Sequence, residues 1–366
     1  MSLGIGGAET HIVELSRALD AAGHNVTVAS AGGVFADELT ACGITHVTLP
    51  LADKNPAHVA ASYRGLKKLI REGDFDIVHG HARIPNFILS LVRKSTPFTF
   101  TTTAHLDFAV NALWRRISDW GERTVAVSDD IADYLVREYG TKRENIDVTV
   151  NGVDMDKFSP DTDYTPVLDE FSLDPAHRRL VYISRIDPDR SAPAFMLCEK
   201  AADLSAEFPD LDIVIVGAGE DLDRLREAAD KANADAGRNV VTLAGGRSDI
   251  NRFCAAADVF VAVSRSALEA MSARVPVIVA GNQGYLGIFG EDKLADAQNT
   301  NFCCRGCPMP TPDKLADDVR TLLRMTDADR EAVAAYGQNL VRREYSAARM
   351  ANDYVACWTK AKGASN

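Results

Sequence analysis

Short runs of Val, Ile and other apolar residues alternate with helix-like segments along most of the chain, and this alternation restricts the possible folds more than any other feature. Continuous apolar runs of this length are typical of strands buried on both faces of a parallel sheet, with helices as crossovers. In the first half, the expected strands are 25–30, 76–79, 98–103, 124–127 and 147–150. In the second half, they are 180–183, 212–216, 240–243, 259–263 and 277–279. The sequence therefore predicts an α/β protein built on parallel sheets.

The chain length and a break in this pattern predict two domains. At 366 residues, the chain exceeds one ordinary core of about 150–200 residues. Residues 151–166 are rich in Pro, Asp and Thr, which is typical of a linker. We expect a first domain over 1–158, completed by a C-terminal helix at 345–366, and a second domain over 170–344. Each is expected to be a Rossmann-like, doubly wound sheet, with the ligand-binding strand ends facing each other across a cleft.

Two glycine-rich turns are candidate phosphate-binding elements. Gly6 and Gly7 open a helix expected over 9–22, and Gly217 follows a strand of the second domain. Glycine lets a backbone approach a ligand closely, and a helix N-terminus favours phosphate. Neither turn has the full dinucleotide fingerprint, so an NAD-dependent enzyme is not favoured and a simple tight turn is the alternative. So few residues precede Gly6 that the first strand of the first domain is expected to be missing or truncated.

Composition excludes several other classes. The net charge of −12 and the pI near 5.2 disfavour a nucleic-acid partner. There is no uninterrupted apolar run of about 18 residues, and no secretory leader is visible, so we expect no spanning segment and no export. Seven scattered cysteines indicate a reducing cytoplasm. Cys303, Cys304 and Cys307 lack a nearby second Cys/His pair, so a zinc site is not expected there.

Two arginines follow the first strand of the second domain. Arg185 and Arg190 lie where the carboxyl end of a parallel strand is expected, and two guanidinium groups there are well placed to clamp a diphosphate. The alternative is a solvated loop in which the arginines pair with Asp187 and Asp189.

A serine and a glutamate follow the strand expected at 259–263. Ser266 is expected to cap the next helix, and the free N–H groups of that helix terminus suit an anion. Glu269 is expected in the first helical turn, where the helix dipole stabilises a carboxylate. A carboxylate there could equally accept hydrogen bonds from two ribose hydroxyls.

Three histidines lie at or just past strand ends of the first domain. His79 and His81 should alternate across an extended strand, which disfavours a shared metal ion. His105 follows a Thr-rich strand and is a candidate for hydrogen bonding to a sugar. A histidine satisfied beneath a loop is the alternative.

The order of these motifs resembles family 4 of the GT-B glycosyltransferases. The matching segments are Gly6-Gly7-Ala8-Glu9, His79-Gly80-His81, Thr103-Ala104-His105, Val127-Ser128, Asn151-Gly152-Val153-Asp154, Arg185 with Arg190, and Leu268-Glu269-Ala270-Met271. They cover nearly the whole chain in the family's order. The sequence departs from the family at the first of two glutamates, where Val261 stands, and at 282–287, which replaces a glycine-rich segment.

The resemblance implies a retaining enzyme that moves a hexose-type sugar from a UDP- or GDP-linked donor to a glycan or lipid-linked acceptor, without a metal or other cofactor. It implies that Arg185 and Arg190 bind the diphosphate, that Glu269 holds the ribose, and that His105 contacts the donor sugar. Further donor-binding residues are expected at Gly6, Gly7, Gly217, Arg265, Ser266, Ala267 and Leu268. The alternatives on this fold are a nucleotide-sugar epimerase or phosphorylase, and a non-catalytic nucleotide-sugar binding protein.

Two helices suggest contact with an anionic membrane. They carry Arg64, Lys67, Lys68 and Arg71, and Trp114, Arg115, Arg116 and Trp120. Basic and aromatic helices can lie on anionic lipid, which suits a lipid-linked acceptor; an ordinary solvated helix face is the alternative. The expectation is a cytoplasmic enzyme of cell-surface polysaccharide synthesis, peripheral on the inner face of the membrane.

Overall fold

A computed structural model describes residues 1–4 and 6–364 and divides the chain into two compact units. The first unit comprises Met1–Gly152 and Ala347–Asn366, and the second comprises Val153–Ser346. The first unit thus ends six residues before the expected boundary at 158. Val153 is already part of the second unit, where its N–H donates to Tyr345 O at 2.7 Å. The second unit begins at 153, well before the expected start at 170.

The first unit alternates helices and strands along its first 152 residues. Its elements are α1 (Gly7–Ala21), β1 (Thr27–Ser30), α2 (Val34–Ala41), β2 (Thr45–Thr48), α3 (Pro56–Gly73), β3 (Val78–Gly80), α4 (Arg83–Arg93), β4 (Phe100–Ala104), α5 (Ala112–Ile117), β5 (Arg123–Ala126), α6 (Asp129–Tyr139) and β6 (Ile146–Val148). β1 and β2 form a parallel pair, and a four-stranded parallel sheet has the order β3-β4-β5-β6.

The first three residues extend the pair β1-β2. Ala31 N–H donates to Met1 O at 3.0 Å, and Leu3 N–H donates to Gly32 O at 2.7 Å. These bonds lie just past the end of β1, and the Leu3 side chain is only 1% exposed. The residues before the glycine turn therefore form a short, extended and well-anchored segment.

The second unit contains one larger sheet. Its elements are α7 (Thr165–Phe171), β7 (Arg178–Ile183), α8 (Ala192–Glu207), β8 (Leu211–Val216), α9 (Leu222–Ala236), β9 (Val241–Gly245), α10 (Ile250–Ala256), β10 (Val259–Ala262), α11 (Ser264–Ser272), β11 (Val277–Gly281), β12 (Gly284–Ile288), α12 (Leu294–Asn299), α13 (Pro312–Arg324) and α14 (Asp327–Glu344). The six strands have the order β12-β11-β10-β7-β8-β9. All pairs are parallel except β11-β12, which is antiparallel.

The predicted α/β architecture with parallel sheets in two units is confirmed. Every residue of β8 and β10 is buried, which explains why these strands are almost entirely apolar, with Asp212 of β8 as the exception. Burying a Val, Leu or Ile side chain contributes about 1.5–3 kcal/mol, so these central strands carry much of the core energy. No helix among the described residues is long and apolar enough to cross a membrane.

The last helix, α15 (Ala347–Ala364), returns to the first unit. Its Met350 and Tyr354 pack against Leu15 and Leu19 of α1 in one apolar cluster. Its Lys360 reaches Asp147 Oδ1 at 2.6 Å, next to the bond that Arg123 Nε donates to Asp147 Oδ2 at 2.7 Å. The first unit is therefore built from both ends of the described chain.

Candidate active site

The loops that follow β7 and β8 lie against each other at the carboxyl edge of the second unit's sheet. Ile186 N–H donates to Ala218 O at 3.0 Å, and Asp221 N–H donates to Ile186 O at 2.9 Å. Gly217 has a φ of +155°, and a Cβ added there would overlap the carbonyl oxygen of Ser184. Only glycine fits such an approach, so the predicted glycine turn serves to lock the loop after β7 in place.

Arg185 and Arg190 lie on this locked loop with their side chains 53% and 39% exposed. Arg185 is 3.6 Å from Asp187, and Arg190 is 3.5 Å from Asp189. These are the pairings of the solvated-loop alternative. Exposed pairs of this kind contribute only about 0–1 kcal/mol, so exchanging an aspartate for a diphosphate would cost little. The structure thus places two available guanidinium groups on a rigid backbone.

The helix after β10 begins earlier than the sequence predicted. α11 starts at Ser264, with Val263 at the N-cap and no side-chain cap. Ser266 is therefore inside the first turn, and its predicted capping role is wrong. Glu269 is the sixth helical residue, so its predicted place in the first turn is also wrong. At the start of this helix, Ser264 adopts a left-handed φ of +52°, and its N–H donates to Phe302 O at 2.9 Å.

Glu269 forms a buried ion pair with Arg265 on the same helix. Arg265 Nε donates to Glu269 Oε1 at 2.7 Å, and the two side chains are only 7% and 2% exposed. Ala267 and Leu268 have fully buried side chains, so only their backbone groups are available to a ligand. By helix geometry the first-turn N–H groups of α11 cannot bond within the helix, and the Ser264 N–H instead donates to Phe302 O.

Two features of this edge were not predicted. Asn282, just after β11, accepts the Ala192 N–H at 2.9 Å and donates to Pro188 O at 3.2 Å, which ties it to the loop after β7. Asn301 and Phe302 adopt left-handed φ angles of 52° and 58° next to Ser264. Left-handed non-glycine residues are uncommon and concentrate at functional sites. The available sequence signals were the unfamiliar segments at 282–287 and 301–305.

In the first unit, Gly6 is the N-cap of α1 in an extended conformation, and Gly7 is the first helical residue. A Cβ at Gly6 would overlap the Glu9 carboxylate, whereas a Cβ at Gly7 would meet open space. The Glu9 carboxylate thus lies beside Gly6 at the helix N-terminus, and its flexible side chain would have to move to make room for a Cβ there. Ile5, in the middle of the predicted turn, lies outside the described residues.

Four histidines converge in the first unit. The ring centroids of His79 and His81 are 4.6 Å apart, and His81 Nδ1 lies 3.2 Å from His105 Nε2. The expected alternation does not separate His79 from His81, because β3 ends at Gly80 and His81 is beyond the strand. The fourth is His11 of α1, 4.8 Å from His105 between ring centroids. Sequence reasoning missed His11 because it lies on an otherwise apolar helix face.

A chain of hydrogen bonds connects two of these histidines to α15. In order, it contains Trp358, His79, Thr103, Tyr354, His11 and Asn151. The Trp358 indole can only donate, so His79 Nδ1 accepts at 3.1 Å and His79 Nε2 carries the proton. At the other end, His11 Nδ1 donates to Asn151 Oδ1 at 2.9 Å, so His11 Nε2 accepts from Tyr354 at 2.9 Å. Both ends of the chain therefore require the same donor-to-acceptor direction, from Trp358 toward Asn151.

Three histidines of this cluster, His79, His81 and His105, are neutral at physiological pH. Desolvation lowers the pKa of His79 to about 3, helped by the nearby His105, and lowers the pKa of His105 to about 4. Desolvation and the other three histidines hold the pKa of His81 well below its usual value. Neutral imidazoles each offer one donor and one acceptor, which suits hydrogen bonding to sugar hydroxyls.

The fold and these loops define the class of protein. A solved glycosyltransferase from Rickettsia africae matches with a TM-score of 0.79 at 19% identity, over 98% of this chain and 97% of that chain. The class is that of the GT-B glycosyltransferases, in which two Rossmann-like domains are joined in one chain.

Family models cover most of both units. The model described as Glycosyltransferase Family 4 matches residues 5–157, and the model described as Glycosyl transferases group 1 matches residues 177–325. The chain belongs to family 4 of the glycosyltransferases, which confirms the family and the enzyme class inferred from the motifs.

Two curated relatives show how similar this sequence is to characterised glycosyltransferases. The chain is 30% identical to a phosphatidyl-myo-inositol mannosyltransferase of Mycolicibacterium smegmatis, over 61% of this chain and 58% of that protein. It is 27% identical to a UDP-Gal:alpha-D-GlcNAc-diphosphoundecaprenol alpha-1,3-galactosyltransferase of Escherichia coli, over 60% of this chain and 61% of that protein. The matches thus span about three fifths of each relative's length.

Proposed function

We propose that this glycosyltransferase transfers a hexose-type sugar from a UDP- or GDP-linked donor to a glycan or lipid-linked acceptor, with retention of anomeric configuration. The observation that carries the proposal is the locked loop after β7, which presents Arg185 and Arg190 beside the Gly217 turn. Two exposed guanidinium groups on a fixed backbone, at the carboxyl edge of a parallel sheet, are suited to a nucleoside diphosphate.

The difficult step in such a reaction is departure of the diphosphate, because negative charge accumulates there as the sugar becomes cation-like. Arg185 and Arg190 would stabilise that charge, together with the first-turn N–H groups of α11 at Arg265 and Ser266. Oriented donors of this kind contribute about 3–4 kcal/mol each when removed singly from an active site. We propose that the donor site needs no metal ion, because the arginines supply the positive charge.

Glu269 is proposed to hold the ribose. Its Oε1 accepts from Arg265, and a carboxylate offers about four lone-pair positions, so ribose hydroxyls can bind the same group. The ion pair would then fix the carboxylate for the nucleotide. In the first unit, His105 is proposed to hydrogen-bond a sugar hydroxyl, and Gly6 and Gly7 to give a substrate close access to the start of α1.

Two observations support a lipid-linked acceptor and a peripheral membrane position. The names of both relatives include a lipid, a phosphatidylinositol in one and a diphosphoundecaprenol in the other. On α3, Arg64, Lys68 and Arg71 are exposed, opposite the buried Ser62, Leu66 and Ile70. A helix with one buried face and one exposed basic face is suited to binding an anionic membrane surface. We propose a cytoplasmic enzyme that docks on the inner face of the membrane for cell-surface polysaccharide synthesis.

Apolar and basic side chains are also exposed at α5. Phe108 and Leu113, before and within α5, are 50% and 62% exposed, and Arg115 and Arg116 next to them are exposed as well. Liposome flotation with anionic and neutral vesicles tests the idea. Binding to anionic vesicles that is lost at high salt supports it, and no binding to either kind of vesicle removes it.

Calorimetric titration with UDP and GDP tests the donor site. We expect one of them to bind, and Arg185→Ala to weaken binding by about 10- to 100-fold, because a charge-assisted hydrogen bond is worth about 1.5–3 kcal/mol. The control is Arg226→Ala, an arginine on α9 that is 55% exposed and paired with Asp223. Equal affinity in Arg185→Ala and the control would contradict the assignment. Hydrolysis of UDP- and GDP-hexoses then measures turnover.

A further inference from the structure

Three of the four clustered histidines direct ring nitrogens to one point in the first unit. They are His11 on α1, His81 just past β3 and His105 just past β4. One ring nitrogen from each lies within 4.8 Å of the other two. His11 is buried, whereas His81 and His105 are partly exposed.

We propose that His11, His81 and His105 form a binding site for a divalent transition-metal ion, with Zn²⁺ as the best fit. Zinc–nitrogen bonds of 2.0–2.1 Å in a tetrahedron place ligand nitrogens about 3.3 Å apart. His81 Nδ1 and His105 Nε2 are already 3.2 Å apart. The largest separation of 4.8 Å would have to shrink by about 1.5 Å, which ring rotation of the partly exposed His81 and His105 can supply.

The hydrogen bonds of His11 prepare it as a ligand. Its Nδ1–H is held by Asn151 Oδ1 at 2.9 Å, which leaves the lone pair on Nε2. Metal-binding histidines typically donate their other ring N–H to an oxygen in this way, which fixes the tautomer and the ring orientation. Tyr354 gives its hydrogen to His11 Nε2 at 2.9 Å, and a hydroxyl can rotate that hydrogen away when a cation binds.

The ligand set selects the class of metal. Three imidazoles without a carboxylate suit Zn²⁺, Co²⁺ and Ni²⁺, whereas Mg²⁺ and Ca²⁺ require oxygen ligands. Three neutral ligands leave the double charge of the ion uncompensated, and three protein ligands leave a fourth position for water or an anion. The site is therefore expected to bind a cation together with a small anionic or water ligand.

This site does not depend on the proposed function, since the donor-binding arginines are in the second unit. The two roles meet only at His105, whose lone pair cannot bind a cation and a sugar hydroxyl at the same time. A bound metal ion would therefore compete with the proposed sugar contact.

The test is a titration of tag-free full-length protein with CoCl₂ and ZnCl₂, followed by Co²⁺ absorption and calorimetry. Cys303 and Cys307 are both partly exposed and could bind the same ions, so the titration uses a background in which both are Ser. We expect one ion per chain, Co²⁺ bands of a nitrogen-ligated site without thiolate charge-transfer absorption, and no effect of Mg²⁺.

Three variants in that background localise the site. His81→Gln and His105→Gln should each remove the Co²⁺ bands, while His58→Gln, an exposed histidine paired with Asp53, should keep them. Asn151→Ala should weaken binding by about 10- to 100-fold, the usual effect of losing a partner that orients a ligand. Far-UV circular dichroism checks that each variant is folded.

Two results would overturn the proposal. One is Co²⁺ binding in the original protein that vanishes completely in the Cys→Ser background. The other is binding that survives in folded His81→Gln and His105→Gln with unchanged affinity.

Discussion

The buried ion pair between Arg265 and Glu269 gives the most demanding prediction about the second unit. Glu269→Gln keeps the shape of the side chain and removes its charge. Arg265 would then lose the carboxylate charge that its Nε contacts, at a position where its side chain is only 7% exposed. Breaking a buried pair in this way costs about 3–5 kcal/mol, a large part of a typical free energy of unfolding of 5–15 kcal/mol.

A double variant separates the ion pair from other effects of the substitution. The double variant Arg265→Met with Glu269→Gln removes both charges. Methionine fills the buried position 265 with an apolar side chain. We expect the double variant to recover at least half of the stability lost in Glu269→Gln, which is about 1.5–2.5 kcal/mol. The control is Asp223→Asn on α9, whose partner Arg226 is 55% exposed, and which should change stability by less than about 1 kcal/mol.

Urea unfolding can assign the effect to a unit. Circular dichroism reports both units, whereas tryptophan fluorescence reports only the first, because Trp114, Trp120 and Trp358 all lie there. A loss below about 1 kcal/mol in Glu269→Gln, or a double variant no more stable than the single one, would refute the reasoning. The same data show whether lost nucleotide binding in a Glu269 variant reflects the missing carboxylate or a disturbed fold.

Three further changes test other contacts. Gly217→Ala should weaken nucleotide binding at least tenfold in calorimetry, because the new methyl group would overlap Ser184 O and displace the loop after β7. Burial alone would raise the pKa of Asp147, but hydrogen bonds from Arg123 and other neighbours lower it to about 2. This carboxylate therefore contributes stability above its unfolded pKa of 3.8, about 2 kcal/mol at most, which is lost as pH falls toward 2. Asp147→Asn should flatten the pH dependence of the urea midpoint in that window, and an unchanged slope would contradict it. Tyr354→Phe removes a buried hydroxyl with two partners and should lower the free energy of unfolding by about 1–3 kcal/mol, a loss that urea unfolding measures.

The apolar runs predicted ten of the twelve strands because strands buried on both faces must be apolar. β2 was missed because Thr45–Thr48 contains one apolar residue and is half exposed. β12 was missed because Gly284–Ile288 contains two glycines and pairs in the antiparallel direction at the sheet edge. Both missed strands lie at a sheet edge and lack a continuous apolar run, so local composition did not reveal them.

Candidate site residues could be predicted where they directly follow a strand. They were missed where their position depends on contacts between residues that are distant in the sequence. Arg185 and Arg190 follow a strand directly, so their place at its carboxyl end could be inferred. The start of α11 at Ser264 could not be inferred in this way, because Ser264 has a left-handed φ and its N–H bonds to the carbonyl of Phe302, 38 residues away in the sequence. The position of His11 beside His105 likewise arises from the tertiary packing of α1, whose Leu15 and Leu19 share a cluster with Val125 and Tyr354, and no local pattern reveals it.

The return of α15 to the first unit has a consequence for synthesis on the ribosome. Met350 and Tyr354 belong to the same core cluster as Leu15, yet they are made about 200 residues after Gly152. At 5–20 residues per second, the growing first unit would wait roughly 10–40 s with that cluster uncovered. The second unit emerges complete in the meantime, so the domain that starts first is expected to finish folding last.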